Sequence, residues 1–440
     1  MKNELRQAIR KDCYKRKIND SEQIKCLQEQ MISLMDNEKY NFCDAIEYNI
    51  FTQQNKKRKI ASMPSESLEN YLTKALSKIV NRKLKIEFAN RNKILLDLFD
   101  CLKGLSKFKD YTIVRFDFKH YFDSLSAEYI YKKYLIEVDF TKEERIVLEK
   151  YISSIKHCRA GLPLSNTLAE IIGRDFDRVL QNSLKGIMFY ARYVDDGILI
   201  LNTVYSLDRI KDILNEVISI VFYDTSITVN TKNKALIDFN KKFACLTYVN
   251  GKQNFDYLGY KVILEYKRND KLSICLGISD NKINKYRNKT KSIILKNYKD
   301  YEKLRIILKL LSRRVVYTVS KNNDVKKWVT KGITYNYKDL FFFGEIDYQT
   351  EQFLKSLYTK SFTDLNIKVP DYLRNIESSR GYNLYYCLMT NKAFILDEII
   401  GTKKDDIIRL VEKVNKNYSC RGKSYHELIK ELLIDCAIGY

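Results

Sequence analysis

The chain is poor in the residues that staple a fold. Its ten cysteines include no Cys-x-x-Cys pair, and there are only three histidines. This argues against a structural zinc site and a disulfide framework, and fits a reducing cytoplasm. Three prolines and 14 glycines leave no low-complexity linker. No apolar run approaches membrane-spanning length and no signal peptide opens the chain, so no membrane partner is expected. There is no internal repeat. Acidic charge is also the minority sign. Against 78 Lys+Arg stand 55 Asp+Glu, for a formal net charge of +23. Such a balance points to a polyanionic partner. Richness in Asn, Ile and Tyr gives it a second source, because an A+T-rich genome would inflate Lys along with them. At 440 residues the chain can hold two or three domains around sizeable cores.

The most informative stretch runs Phe189-Tyr190-Ala191-Arg192-Tyr193-Val194-Asp195-Asp196-Gly197-Ile198-Leu199-Ile200-Leu201. Two apolar, β-prone runs flank adjacent acids and a glycine. The pattern predicts a β-hairpin with Asp195-Asp196-Gly197 at its tip, glycine supplying φ > 0. Adjacent carboxylates repel, and a divalent cation is the useful reason to keep them. Mg²⁺ takes hard oxygen ligands, usually one or two carboxylates plus substrate phosphates. The plain alternative is a solvated turn. A second stretch, Tyr111 to Ser124, bears on that choice. It is a predicted strand with Asp117 between Phe116 and Phe118. An acid in an apolar strand is costly unless hydrogen-bonded or metal-paired. Beside the hairpin it completes three carboxylates, as two-metal phosphoryl transfer requires.

Tyr193-Val194-Asp195-Asp196 resembles the Tyr-x-Asp-Asp box of reverse transcriptases, and Phe116 to Ser124 resembles their first palm motif. His157 to Glu170 is similar to the motif Leu-Pro-Gln-Gly-x-Pro-x-Ser, with Gly161, Pro163 and Ser165 in register. The departures are Arg159 at the usual Pro and Ala160 at the usual Gln. That glutamine normally braces the templating pair and nucleotide. Lys56-Lys57-Arg58-Lys59 and Phe88 to Asn92 resemble the two fingers motifs. Arg91 is then a candidate triphosphate ligand, since its fork suits phosphate oxygens; otherwise it is a surface arginine. Phe122 would lie under the sugar of the incoming nucleotide and exclude a 2′-hydroxyl, unless it only packs in the core. Ile227 to Lys234 resembles the later palm motif, whose pyrophosphate-side lysine is either Lys232 or Lys234. Phe255 to Tyr260 resembles the primer grip, with Gly259 permitting close backbone approach. Arg313 to Tyr317, and on to Tyr337, resembles the thumb of bacterial abortive-infection and defence-associated (unknown-group) reverse transcriptases.

The resemblance covers about 56–345. It implies an α+β, right-hand polymerase fold with an antiparallel palm sheet. The expected parts are an N-terminal helical extension (1–55), fingers (56–110) and a palm (111–265) with a helical insert near 126–156. A thumb (266–345) and a C-terminal helical region (346–440) complete it. Ser65 is a candidate cap for a helix whose apolar face carries Leu68, Leu72, Leu76, Ile79 and Val80. Further helices are expected over 207–221 and from Ser279, and a strand over 272–278.

The implied activity is RNA-directed DNA polymerisation in antiviral defence. Asp117, Asp195, Asp196 and the Phe118 carbonyl would hold two Mg²⁺, with Mn²⁺ as substitute. Phe122, Arg91, Ala160, Gly161 and Lys232 would face the nucleotide. Tyr193, Tyr257, Leu258 and Gly259 would face the primer. Lys282, Lys285, Lys289 and Lys296, interleaved with Tyr286 and Tyr298, would grip a duplex backbone; a solvated helix face is the alternative. Partners would be a non-coding template RNA, DNA product and dNTPs. Self-association and an accessory defence protein are both compatible with this reading. One alternative is an untemplated, protein-primed polymerase of the same group, compatible with Ala160 and the 33 tyrosines. Another is a non-catalytic RNA-binding scaffold.

Overall fold

The computed structural model describes all residues except 17, 19, 52–56, 106, 109, 224–235, 238–242, 248–250, 267–271, 323–324, 376–378, 437 and 439–440. The chain is mixed α+β and, among the described residues, its sheets are antiparallel apart from one parallel strand pair. It divides into two compact units, Met1–Val249 and Asn250–Tyr440. The division falls inside the span 111–265, so the 255–260 hairpin belongs with the second unit.

In the first unit, helices α1 (Lys2–Lys15) and α2 (Ser21–Asp36) pack together, and α1 also packs on α3 (Leu68–Lys83). Strands β1 (Ile46–Phe51) and β2 (Lys57–Ser62) form an antiparallel hairpin, so the basic run at 57–59 is strand. Helix α3 buries Leu68, Leu72, Leu76, Ile79 and Val80, the face its spacing predicts. Its cap is Ser67, whose hydroxyl accepts from Asn70 N at 3.1 Å, and not Ser65. Helix α4 (Arg91–Leu105) starts where the Asn90 side chain accepts from Asn92 N and Lys93 N.

The central sheet is built on β3 (Thr112–Lys119). After it come α5 (Tyr121–Ser124), α6 (Ala127–Ile130) and α7 (Lys142–Ser154), the last opened by a Thr141/Glu144 capping box. Helix α8 (Pro163–Ser183) then leads into β4 (Ile187–Tyr193) and β5 (Asp196–Leu201). Helix α9 (Leu207–Phe222), β6 (Leu236–Ile237) and β7 (Ala244–Thr247) complete the unit. The strand order is β4-β5-β3-β6, with β7 pairing the first half of β3. Alternation sorts the two faces of β3. Phe116 and Phe118 pack on Phe176 of α8, at ring distances of 5.8 and 5.0 Å, and Phe118 meets Phe222 of α9 at 5.5 Å. Arg115 and Asp117 therefore occupy the opposite face.

The second unit opens with an antiparallel meander of β8 (Gly251–Tyr257), β9 (Tyr260–Tyr266) and β10 (Leu272–Ile278). Helices α10 (Asp280–Asn297) and α11 (Tyr301–Ser312) follow. Next come β11 (Arg314–Asn322), β12 (Val325–Lys331), α12 (Ile333–Asn336) and α13 (Tyr348–Asp364), with α10 packed on α13. The expectation that 346–440 is helical needs correction. Besides helices at 384–389, 404–414 and 425–435, it contains β13 (Ala393–Leu396), which pairs parallel with β11. Strand β13 is only four residues long, Ala393-Phe394-Ile395-Leu396, too short a run to tell from a turn of buried helix. Among the described residues, no helix is long and apolar enough to cross a membrane.

Candidate active site

Asp117 and Asp196 are direct partners across the antiparallel pair β3–β5. They share the face away from the helices, and Asp117 is only 5 % exposed. Asp195 joins them through the backbone, its carbonyl accepting from Phe118 N at 3.0 Å. Two stretches nearly eighty residues apart in sequence thus meet at one strand end. Their oxygens are hard donors suited to Mg²⁺. Among the described residues, no three His, Cys, Asp or Glu side chains converge into a closed metal-binding group. A side-chain cation already reaches Asp196. The Arg115 Nη2 donates to Asp196 Oδ1 at 2.8 Å, from one residue pair along the same face. Arg115 is thus the positive charge now on Asp196, and the carboxylate oxygens of Asp117 and Asp196 are donors of the type a divalent ion takes.

The hairpin differs from its expected form. Tyr193 pairs with Asp196, so the two-residue tip is Val194-Asp195, and Asp196-Gly197 already lies in β5. The left-handed residue is Val194, at φ 61°, and not Gly197. Glycine is needed at 197 for space. A Cβ there would stand 2.1 Å from the Phe116 ring, which crosses that point on the core face. A β-branched residue with positive φ is strained, and such strain persists only where the surroundings over-determine it. Here the surroundings include a buried arginine. Arg192 Nη1 donates to Val194 O at 2.8 Å. Its Nε and Nη2 donate to the two Asp177 oxygens at 2.7 and 3.0 Å, and Nη2 also reaches Glu170 Oε1 at 3.0 Å. The Tyr190 hydroxyl also donates to Asp177.

Burial opposes the Arg192 charge, but Tyr121, Asp177 and Glu170 outweigh it and hold its pKa well above the ordinary value. Burial raises the Glu170 carboxyl, against the pull of Arg192. Gly173 makes room for this arrangement, because a Cβ there would lie 2.4 Å from the Arg192 guanidinium. Arg115, Arg192, Glu170 and Asp177 are absent from the sequence-based candidates. One signal could have found the network. Glu170, Gly173 and Asp177 are spaced i, i+3, i+7 on one helix face, below an arginine in an otherwise apolar strand.

The remaining candidates divide. Phe118 has its ring in the aromatic core and its amide on Asp195, so only its carbonyl is a candidate ligand. Phe122 is half-buried against Tyr121, their rings 5.9 Å apart, just after His120, a second left-handed residue at φ 52°. Tyr193 is partly exposed at the hairpin tip. Arg91 stands at the start of α4. Ala160 and Gly161 lie against β2, with Ala61 N donating to Ala160 O at 2.8 Å. Gly161 has φ 104°, and a Cβ on it would meet Ala61 O at 2.4 Å. Ser165 fixes this loop by accepting from Arg159 N at 3.0 Å. Lys232 and Lys234 lie outside the described residues.

In the second unit, Leu258-Gly259 forms the tip of the β8–β9 hairpin, with φ 45° and 89°. Gly259 is thus demanded by turn conformation. Its carbonyl accepts from Ser279 N at 3.0 Å, and the Lys282 stem passes 3.2 Å from where a Gly259 Cβ would be. Tyr257 needs correction as a nucleic-acid contact, because its side chain is fully buried. Its place in a period-2 strand put it on the core face. Lys282, Lys285 and Lys296 are exposed on α10. Lys289 is partly covered, and burial together with Lys285 lowers its pKa.

Compared with protein-family models and with curated proteins, the chain matches none.

Proposed function

We propose that the chain is a nucleotidyltransferase, an RNA-directed DNA polymerase of right-hand architecture acting in defence against phage. The observation that carries the catalytic part is the pairing of Asp117 with Asp196, with Asp195 fastened to Phe118. Asp117, Asp195, Asp196 and the Phe118 carbonyl would hold two Mg²⁺, which when bound acidify a primer 3′-hydroxyl and neutralise triphosphate charge. The chain's own work is positional. Arg115 orients Asp196, Arg192 holds the strained turn, and Phe122 bounds the space open to the sugar. Lys282, Lys285, Lys289 and Lys296 meet backbone phosphates by charge. The defence role rests on the resemblance of 313–337 alone.

A second reading, untemplated synthesis primed on a protein hydroxyl, is favoured by one observation. Ala160 offers only a methyl group where a glutamine amide would brace a templating pair, and its carbonyl is already engaged by Ala61. Sequencing the product made by purified full-length protein from an RNA template, Mg²⁺ and all four dNTPs separates the two. A complement of the RNA supports the first reading, whereas random or homopolymeric product supports the second.

A further inference from the structure

Helix α11 carries Arg305 and Lys309 one turn apart, and Arg313 follows at its C-terminal cap. The opposite face buries Leu304, Ile307, Leu308 and Leu311. Two cavities adjoin this basic stripe and share Arg305. One, about 310 Å³, is lined by Tyr301, Arg305, Lys368, Pro370 and Tyr372 with Glu302 and Asp371. The other, about 210 Å³, is lined by Arg305, Lys309, Tyr382, Phe394, Leu410 and Lys413, with Glu302 as its one acid among the described residues. Arg305 is fixed between aromatic rings. Its Nε donates to the Tyr382 hydroxyl at 3.0 Å, and its guanidinium lies 5.8 Å from the Tyr372 ring centre.

The charges are unbalanced in the second cavity and balanced in the first. The second has Arg305, Lys309 and Lys413 against Glu302, which pairs with Lys413 at 3.4 Å. Burial, together with the like charges of Arg313, Arg305 and Lys392, lowers the Lys309 pKa. A merely solvated helix face would spread its cations apart. Here they converge on a recess, where an anion relieves their repulsion. The first cavity offers Tyr301, which is 53 % exposed, beside Pro370 and Tyr372, as an apolar wall.

A phosphate recess beside an aromatic wall is the chemistry of a nucleotide. A duplex hides its base faces, and two recesses joined at Arg305 can each take part of a continuous strand. We propose that the α11 face of the second unit binds single-stranded nucleic acid, phosphates at Arg305 and Lys309 and a base against Tyr301 and Tyr372. This site shares no residue with the carboxylate face and stands whether or not that face catalyses.

The test is photocrosslinking of full-length protein to an oligo(dT) carrying 4-thiothymine, with adducts mapped by mass spectrometry. Adducts on the Tyr301 and Tyr372 peptides are expected, unchanged in Asp195→Ala. Lys309→Gln with Lys368→Gln, which leave Arg305 and its bond to Tyr382 in place, should cut them several-fold. Oligo(dT) binding by Arg305→Gln/Lys309→Gln should show a salt slope shallower by about 1.4, from about 0.7 per phosphate contact on a single strand. Adducts confined to other segments, or insensitive to both pairs of substitutions, overturn the proposal. Competition by free dTTP at the same nucleotide concentration as oligo(dT) also overturns it, in favour of a free-nucleotide site.

Discussion

The side chain of Arg192 donates to the carbonyl of Val194, two residues on, at 2.8 Å. That bond reaches from the buried helix side of the sheet to the tip that presents Asp195. It makes a left-handed valine tenable and links the turn to α8 through Asp177 and Glu170.

Arg192→Ala should therefore be severely destabilising. Removing one partner of a buried ion pair leaves Glu170 and Asp177 uncompensated, at a cost of about 3–5 kcal/mol. Arg192→Lys should also lose stability, because an ammonium cannot reproduce the bidentate fork on Asp177. Urea unfolding of the full-length chain measures both. A change within about 0.5 kcal/mol for Arg192→Ala would remove the network from the account.

Val194→Gly tests the strain itself. A left-handed conformation costs a non-glycine residue roughly 1–2 kcal/mol. Glycine removes that cost but gives up some of it through a freer unfolded chain. The expected result is unchanged or slightly raised stability, read by thermal melting. A clear loss would mean that the Val194 side chain makes contacts worth more than the strain.

Phe122→Ala should widen the space beneath a nucleotide sugar and raise ribonucleotide relative to deoxynucleotide incorporation. It should also cost some stability, as a half-buried ring is lost. Single-nucleotide incorporation with each sugar measures the ratio. Equal loss with both would assign Phe122 to packing alone.

On α10, replacing Lys282 and Lys285 by Gln should weaken duplex binding alike for all sequences. The salt slope should flatten by about 1.8, from about 0.9 per phosphate contact. Binding titrations at several salt concentrations read the slope, and an unchanged slope would make that face merely solvated.

Much of the site was legible because its signals are local. Asp117 between two phenylalanines, and two acids between apolar runs, mark strand ends whatever the tertiary context. The helix face of α3 was legible from periodicity. What stayed hidden depends on contacts distant in sequence. Gly197 looked like a turn glycine, and only the Phe116 ring across the sheet shows that it provides space. Val194 has no left-handed signature, since its φ is held by Arg192 and not by its own chemistry. Tyr257 read as a surface contact from its motif, while the core claims it. Strand β13 pairs in parallel with a strand some eighty residues earlier, and no local pattern encodes that partner.

The central claim is that Asp117, Asp195 and Asp196 act as one metal-dependent polymerising centre. Its most direct test is Mg²⁺-dependent incorporation of labelled dNTPs by the full-length protein and by Asp195→Ala, with circular dichroism to establish that both are folded. Groups acting as a unit are lost together, so the variant should fall by about a thousandfold or more while its fold is kept. Wild-type-like incorporation by folded Asp195→Ala, or none by the wild type with any template, primer or divalent metal, would contradict the account.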